Sequence, residues 1–396
     1  MLNVDGFNVS MFGDCFETLF WVRGCGPELA RHLATLVDAN AVLAHEVGGE
    51  QMVEVKAREF VSDQILAELN GAFDIQAVKR LSPVLPVLSR RDVRVPFTSC
   101  AEMLRYDAGR NLPLWKLGAE YEMARGGLSE AEVIARIVDI VRLLRRSIAQ
   151  GIAGTRYDDR VLGHQSGKFN DLIKAGRLLN GGLLNHMVLY VTALMEVKSS
   201  MGVIVAAPTA GACAALPAAV IATAEGRGLG EVDMAKAMLA SGVIGVFIAT
   251  RWTFAAEVGG CQAEGGSAAS MAAAALVDMA GGTLMQSLTA ASLALQSMLG
   301  LICDPVASRV EVPCLGKNVM AASNALACAN MALAEYDPVI PLDEVIEAAQ
   351  KVANQMPREL RCTALGGLSV TPTSKAIQQQ LAAKKSAACG SQCVCR

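Results

Sequence analysis

The sequence predicts a mainly α protein: a large helical catalytic domain packed through small residues, preceded by a small, mostly helical N-terminal region. Three observations predict it. Hydrophobic residues make up 53% of the 396-residue chain while aromatics make up only 5%, so the apolar mass is Ala, Leu, Val and Met, which favour helices over a β-sandwich. Apolar residues recur at helical spacing in several long stretches. From residue 183 onward the chain is small, apolar and punctuated by glycine, as close-packed core helices require.

Taken in order, GPELARHLATLVDANAVLAHEV (26–47) and EQMVEVKAREFVSDQILAELNGAF (50–73) read as helical. RLSPVLPVLSRRDVRVPF (80–97) holds three prolines and several charges and reads as a linker. Ser99 with Glu102, and Ser129 with Glu132, have capping-box spacing and open helices near 99–109 and 128–152. DEVIEAAQKVANQMPREL (343–360) reads as a surface helix. The domain expectation is therefore 1–95 as an N-terminal region of unassigned role, 96–380 as the catalytic domain, and 381–396 as a flexible, cysteine-containing tail.

Composition also excludes classes. A net charge of −3, with no basic stripe among aromatics, argues against nucleic-acid binding. Mean hydropathy is +0.36, and the stretches 199–224 and 279–303 carry no charge. Pro208, Pro217 and glycines interrupt the first; Gln and Ser pepper the second, which lacks Trp, Tyr or basic flanks. Both therefore read as buried core rather than membrane spans. The N-terminus has no basic segment before an apolar one, and the expectation is a cytoplasmic protein.

Twelve cysteines are many for a chain of this kind. Without a secretory pattern a disulfide scaffold is disfavoured, and buried free thiols account for most of them. Three stand out: Cys261 in GGCQAE, Cys303 in LICDP and Cys314 in VPCLGKN. Each lies at a turn or helix end, where backbone can bend around a metal and a helix dipole can stabilise a thiolate. No C-x-x-C spacing is present among the three, so spacing alone leaves a metal or cluster site and inert thiols both open.

GGCQAEGGSAASMAAAALVDMAGGT, CDPVASRVEVPCLGKN, SSMGVIVAAPTAGACAALPAA and CTALGGLSVTPT resemble, in order and spacing, the signature segments of the iron–sulfur-dependent L-serine dehydratase α family over roughly 97–380. The resemblance implies a helical domain holding a [4Fe–4S] cluster through Cys261, Cys303 and Cys314, with one iron open to act as Lewis acid. It implies a small amino-acid substrate, L-serine giving pyruvate and ammonia, and a homo-oligomer; many members carry an S-x-x-H-T segment that is not found here, so either a separate β-type subunit supplies it or residues 1–95 do a different job. A cysteine desulfidase, a dehydratase of a more acidic hydroxy amino acid, a non-catalytic cluster-binding subunit and a membrane protein are the alternatives. A pyridoxal-phosphate enzyme would need a phosphate loop that AAPTAGACAA lacks.

Further candidates are Ser200 and Thr209, in a loop able to hold a carboxylate or simply to pack. Lys168, Lys317 and Asn318 are candidates for orienting substrate, with a solvated surface as the other reading of each lysine. Glu264 can pass a proton or cap its helix; His164 and His186 are bases or hydrogen-bonded core residues. The sequence departs from the family pattern at Gly265 and at Ser308–Arg309. Arg309 could hold a second substrate carboxylate bidentately, or point outward. Cys393 and Cys395 could reach the open iron, or be incidental thiols.

Overall fold

The structure, a computed structural model, describes residues 2–4, 7–9, 16–47, 49–57, 59–81 and 93–392. The chain divides into two compact units, 1–89 and 90–396.

The first unit corrects the expectation of a mostly helical N-terminal region. A short hairpin, β1 (Leu2–Val4) with β2 (Phe7–Val9), precedes the main fold. Then come β3 (Phe16–Val22), α1 (Gly26–Leu36), β4 (Ala39–Val47), β5 (Glu50–Ala57), α2 (Asp63–Ala72) and β6 (Ile75–Leu81). This βαββαβ chain forms a four-stranded sheet in the order β4-β5-β3-β6, with every pairing antiparallel, the split-βαβ arrangement. In VEVKA, Val53 and Val55 point to one face and join Phe20, Leu29, Leu33 and Leu69 in the core. Glu54 and Lys56 alternate to the other face. The misreading has a physical cause: ANAVLAHEV is apolar enough to satisfy either period. The deciding signal was Gly48–Gly49 between two apolar runs, which marks a hairpin; Val47 pairs with Glu50 across it.

The second unit is helical, and the mainly α class holds for the chain. Its centre is the helix Ser267–Met279, buried from Ser267 to Val277. Around it pack the helices Glu231–Arg251, Leu284–Gln296, Cys314–Leu333 and Ala215–Gly226. Alanine and glycine set the closeness of such crossings. At Gly151, in the helix Glu130–Ala153, an added Cβ would lie 2.4 Å from the carbonyl oxygen of Ala193 in the helix Leu183–Ser199. The expected cap at Ser129 forms a complete capping box. Ser99 accepts from the Glu102 amide, but the Glu102 carboxylate turns to Thr98 instead.

The uncharged stretches resolve into a loop followed by the helix Ala215–Gly226, and into Leu284–Gln296. Among the described residues one helix, Glu231–Arg251, is long and apolar enough to cross a membrane, and 61% of its apolar window is buried inside the protein. The segment expected as a flexible tail is helical as far as the structure describes it, within Pro372–Gln392; Cys393 and Cys395 lie outside the described residues.

Candidate metal centre

Cys261, Cys303 and Cys314 are all buried, and each arrives by a different device. Cys261 follows Gly260, whose φ is +68° and whose added Cβ would strike the Leu301 carbonyl at 2.8 Å. It precedes a π-helical turn, Gln262–Gly266, an irregularity often found at functional sites. Gln262 locks that turn to the neighbouring loop: its amide donates to Leu301 O at 2.9 Å, and its side chain accepts from Gly300 N at 2.8 Å. Cys303 lies on an extended bridge, donating to Leu360 O at 2.9 Å and accepting from the Cys362 amide at 3.1 Å. Cys314 is the first residue of the helix Cys314–Leu333, where the dipole favours negative sulfur.

The sulfurs of Cys261 and Cys303 and the carboxylate of Glu264 lie within 4.8 Å of one another. Burial, then the field of Cys261, pushes the Cys314 thiol up to about 12. Cys303 is pushed up by hydrogen bonding to Cys261 and Cys362 and by burial. Cys362 is the residue that sequence reasoning missed. Its thiol hydrogen-bonds that of Cys303, which lowers its own pKa, and it packs against Cys261 and Cys303. Nothing in its spacing announces this, because the bridge between Cys303 and Arg361 makes the contact.

Lys317, expected to orient substrate, lies at this corner. Its Nζ donates to Ile302 O at 2.6 Å and to Asp304 Oδ1 at 2.7 Å, and lies 3.7 Å from Cys261 Sγ. Burial works against its charge, but Cys261 and Asp304 outweigh burial and raise its pKa. Asp304, also missed, accepts from Leu368 N at 2.9 Å through its other oxygen. Asn318 is likewise occupied with backbone: it accepts from the amides of Ala214 and Ala215 at 3.2 and 3.1 Å and donates to Gly211 O and Cys314 O, both at 2.9 Å.

Thr209 donates to Glu264 Oε1 at 2.7 Å and accepts from Ala212 N at 3.0 Å. Gly211 leaves the room this requires, since a Cβ there would sit 2.8 Å from Glu264 Oε1. Burial raises the Glu264 pKa; the Thr209 hydrogen bond and the charges of Lys198 and Lys317 oppose it.

The other candidates fall elsewhere. Ser200 accepts from Arg160 Nη1 at 2.5 Å, in a loop anchored on Thr155. Arg309 pairs with Asp159. Lys168 stands exposed on the helix Ser166–Lys174. The His164 ring hydrogen-bonds Gly151 O at 3.1 Å, and His186 lies 3.4 Å from Gly182 O; neither joins the cysteines.

The donor set suits a thiophilic metal cluster. The buried sulfurs, ionised, would outnumber the ammonium groups of Lys317 and Lys198 that act on them, and a cluster would supply the missing positive charge. Fold and site together define a helical protein with a buried multi-thiol centre. The family model for "Serine dehydratase alpha chain" matches residues 109–369. The "Probable L-serine dehydratase, alpha chain" of Bacillus subtilis is 35% identical over 285 residues, covering 72% of this chain and 95% of that one. The corresponding chain of Latilactobacillus sakei is 44% identical over 189 residues, 48% of this chain and 90% of that one. An "L-serine dehydratase" of Helicobacter pylori is 36% identical over 192 residues, 48% of this chain but 42% of that longer one. This chain belongs to the serine dehydratase alpha chain family.

Proposed function

We propose that this chain is the cluster-bearing chain of an oxygen-sensitive, pyridoxal-independent L-serine dehydratase, a carbon–oxygen lyase converting L-serine to pyruvate and ammonia. The observation that carries this reading is the buried grouping of Cys261, Cys303 and Glu264, with Cys314 buried within electrostatic reach of Cys261, in a chain of this family. These three residues would hold a [4Fe–4S] cluster. When bound, such a cluster with one iron not taken by cysteine supplies the Lewis acidity that eases departure of the β-hydroxyl.

The chain's own residues do the rest. Lys317 and Asp304 fix the Cys261 corner and offset part of the thiolate charge. Thr209 orients Glu264 by one oxygen, leaving Oε2 as the candidate acceptor for a substrate proton. Asn318 ties the start of the helix Ala215–Gly226 to the carbonyl of Cys314, so the loop carrying Thr209 and Gly211 keeps its register against the thiols. Loss of water leaves an enamine, which tautomerises to an imine and hydrolyses to the keto acid and ammonia.

A separate β-type chain completes the enzyme in this reading. Its support is the alpha-chain naming of the relatives and the Helicobacter pylori chain, of which the match spans 42%. Homo-oligomerisation is carried over from the family resemblance.

The test is anaerobic purification followed by a visible spectrum, iron content, and assays of pyruvate from L-serine and of sulfide from L-cysteine. Broad cluster absorbance with pyruvate formation is expected. Sulfide release without pyruvate would make the chain a desulfidase instead. Absence of iron, with Cys261, Cys303 and Cys314 titrating as free thiols, would end the reading.

A further inference from the structure

Cys362 has no part in the reaction proposed above, yet it stands among the sulfurs. It packs against Cys261 and Cys303, and its thiol hydrogen-bonds that of Cys303. Two thiols in contact can join as a disulfide when an oxidant reaches one of them. Two conditions decide whether they do. The pair must stay together without a metal, and one thiol must be open to the oxidant.

The backbone meets the first condition. Cys303 N donates to Leu360 O at 2.9 Å and Cys362 N to Cys303 O at 3.1 Å, on either side of Arg361. Farther along the same segments, Asp304 Oδ2 accepts from Leu368 N at 2.9 Å, and the Ser369 hydroxyl donates to Pro305 O at 2.8 Å. These ties hold 303–305 against 360–369 whatever the thiols carry. Cys362 itself has a φ of +52°, in the left-handed region that favours glycine. Its neighbours keep it there: Arg361 Nε donates to Met356 O at 2.8 Å, and the Thr363 hydroxyl to Arg358 O at 3.1 Å. A residue other than glycine held in such a backbone points to a function.

Exposure meets the second condition. Cys261, Cys303 and Cys314 are 5%, 3% and 5% exposed, whereas Cys362 is half-buried. Cys362 is therefore the thiol of this group that a small oxidant meets.

We propose that Cys362 is a redox-modification site: in the cluster-free protein, hydrogen peroxide joins it to Cys303 in a disulfide that withholds one ligand until a dithiol reduces it. Peroxide oxidises the Cys362 thiol to a sulfenic acid and releases one water. The Cys303 sulfur then attacks the Cys362 sulfur, the S–O bond breaks, and the departing hydroxyl takes up the Cys303 proton as a second water. A dithiol returns the two electrons by two successive thiol–disulfide exchanges. The effect on iron rests on the cluster reading above; the disulfide itself does not.

The experiment uses the full chain, made cluster-free by anaerobic chelation and treated with a stoichiometric dose of hydrogen peroxide. Free thiols are alkylated and the protein is cut with trypsin and a glutamyl protease. Cleavage after Glu264 separates Cys261 from Cys303, and cleavage after Arg361 frees the peptide of Cys362. Mass spectrometry should find Cys303 linked to Cys362. In Cys362→Ala, and in the nearly isosteric Cys362→Ser, loss of the free Cys303 thiol should slow at least about tenfold. The oxidised wild type should bind at least about tenfold less ferrous iron than the same protein after dithiothreitol.

A link between Cys261 and Cys303, a link from Cys303 to a tail cysteine, or no link overturns the inference; iron binding by the reduced protein then leaves the cluster reading standing. An unchanged rate of Cys303 loss in both Cys362 variants also overturns it. A Cys303–Cys362 link in a protein that binds no iron even when reduced supports the modification site and sinks the cluster reading.

Discussion

The sheet unit and the cysteine corner both bury several ionisable groups, and they settle them in opposite ways. On the sheet, Lys56 and Glu54 are fully buried with Nζ and Oε1 2.8 Å apart; Glu54 Oε2 meets His45 Nε2 at 2.9 Å, and Glu17 approaches Lys56 at 3.9 Å. Here each carboxylate named faces a nitrogen-bearing side chain of the same sheet. At the cysteine corner, Cys261, Cys303 and Cys362 pack together, the Lys317 ammonium beside Cys261 is shared with Asp304, and Lys198 and Lys317 both act on Cys314. Ionised, those thiols would outnumber the ammonium groups. The difference separates a polar network paired within the fold from a group of thiols suited to coordination.

The largest expected effect breaks the second region alone. On the cluster reading proposed above, Cys303→Ser should lower bound iron from about four per chain to fewer than about one, and turnover by at least about 100-fold. Iron retained at the wild-type level would remove Cys303 from the ligand set. Breaking the first region should do the reverse. Lys56→Met leaves Glu17 and Glu54 buried without their ammonium and should cost about 3–5 kcal/mol in urea unfolding of the holoprotein. Iron content should stay unchanged, and a negligible loss would show that the network contributes little.

Asn318→Ala tests the scaffold between thiols and loop. It strands two amides and two carbonyls, for a loss of roughly 2–4 kcal/mol, and should speed hydrogen exchange at Ala214 and Ala215. Unchanged exchange there would contradict the bridging role.

The smallest effect sharpens the comparison with an intermediate case. Asp278 is a half-buried carboxylate answered by the amide of Trp115 at 3.3 Å, and desolvation lifts its pKa from 3.8 to about 6. Because the folded value is raised, its stabilising contribution is complete below the unfolded pKa and is lost as pH rises through about 6. Relative to Asp278→Asn, the wild type should lose about 2 kcal/mol of stability between roughly pH 4 and pH 7. A pH-independent gap between the two would rule the raised pKa out.

Much of this was legible before any coordinates. Alanine-rich apolar runs announced close-packed helices. Ser129 with Glu132 announced a helix start, and the family segments drew attention to Cys261, Cys303 and Cys314. What was not legible followed from two limits. Periodicity over ANAVLAHEV satisfies helix and strand alike, so hairpin pairing with Glu50–Ala57 decided β4. Spacing along the chain also says nothing of approach across it, so Lys168 and Lys317 looked equivalent.

The sequence by itself determined the helical class, the helix starts and the residues with the right chemistry, because caps, apolar period and thiol softness are local properties. Only the tertiary structure decided which of those residues meet. It brought Cys362 to Cys303 through a backbone bridge, buried Lys317 between Asp304 and Cys261, and turned Arg309 to Asp159 beside Ser199. Those contacts join segments far apart in the chain, and the close packing of small-residue helices sets them.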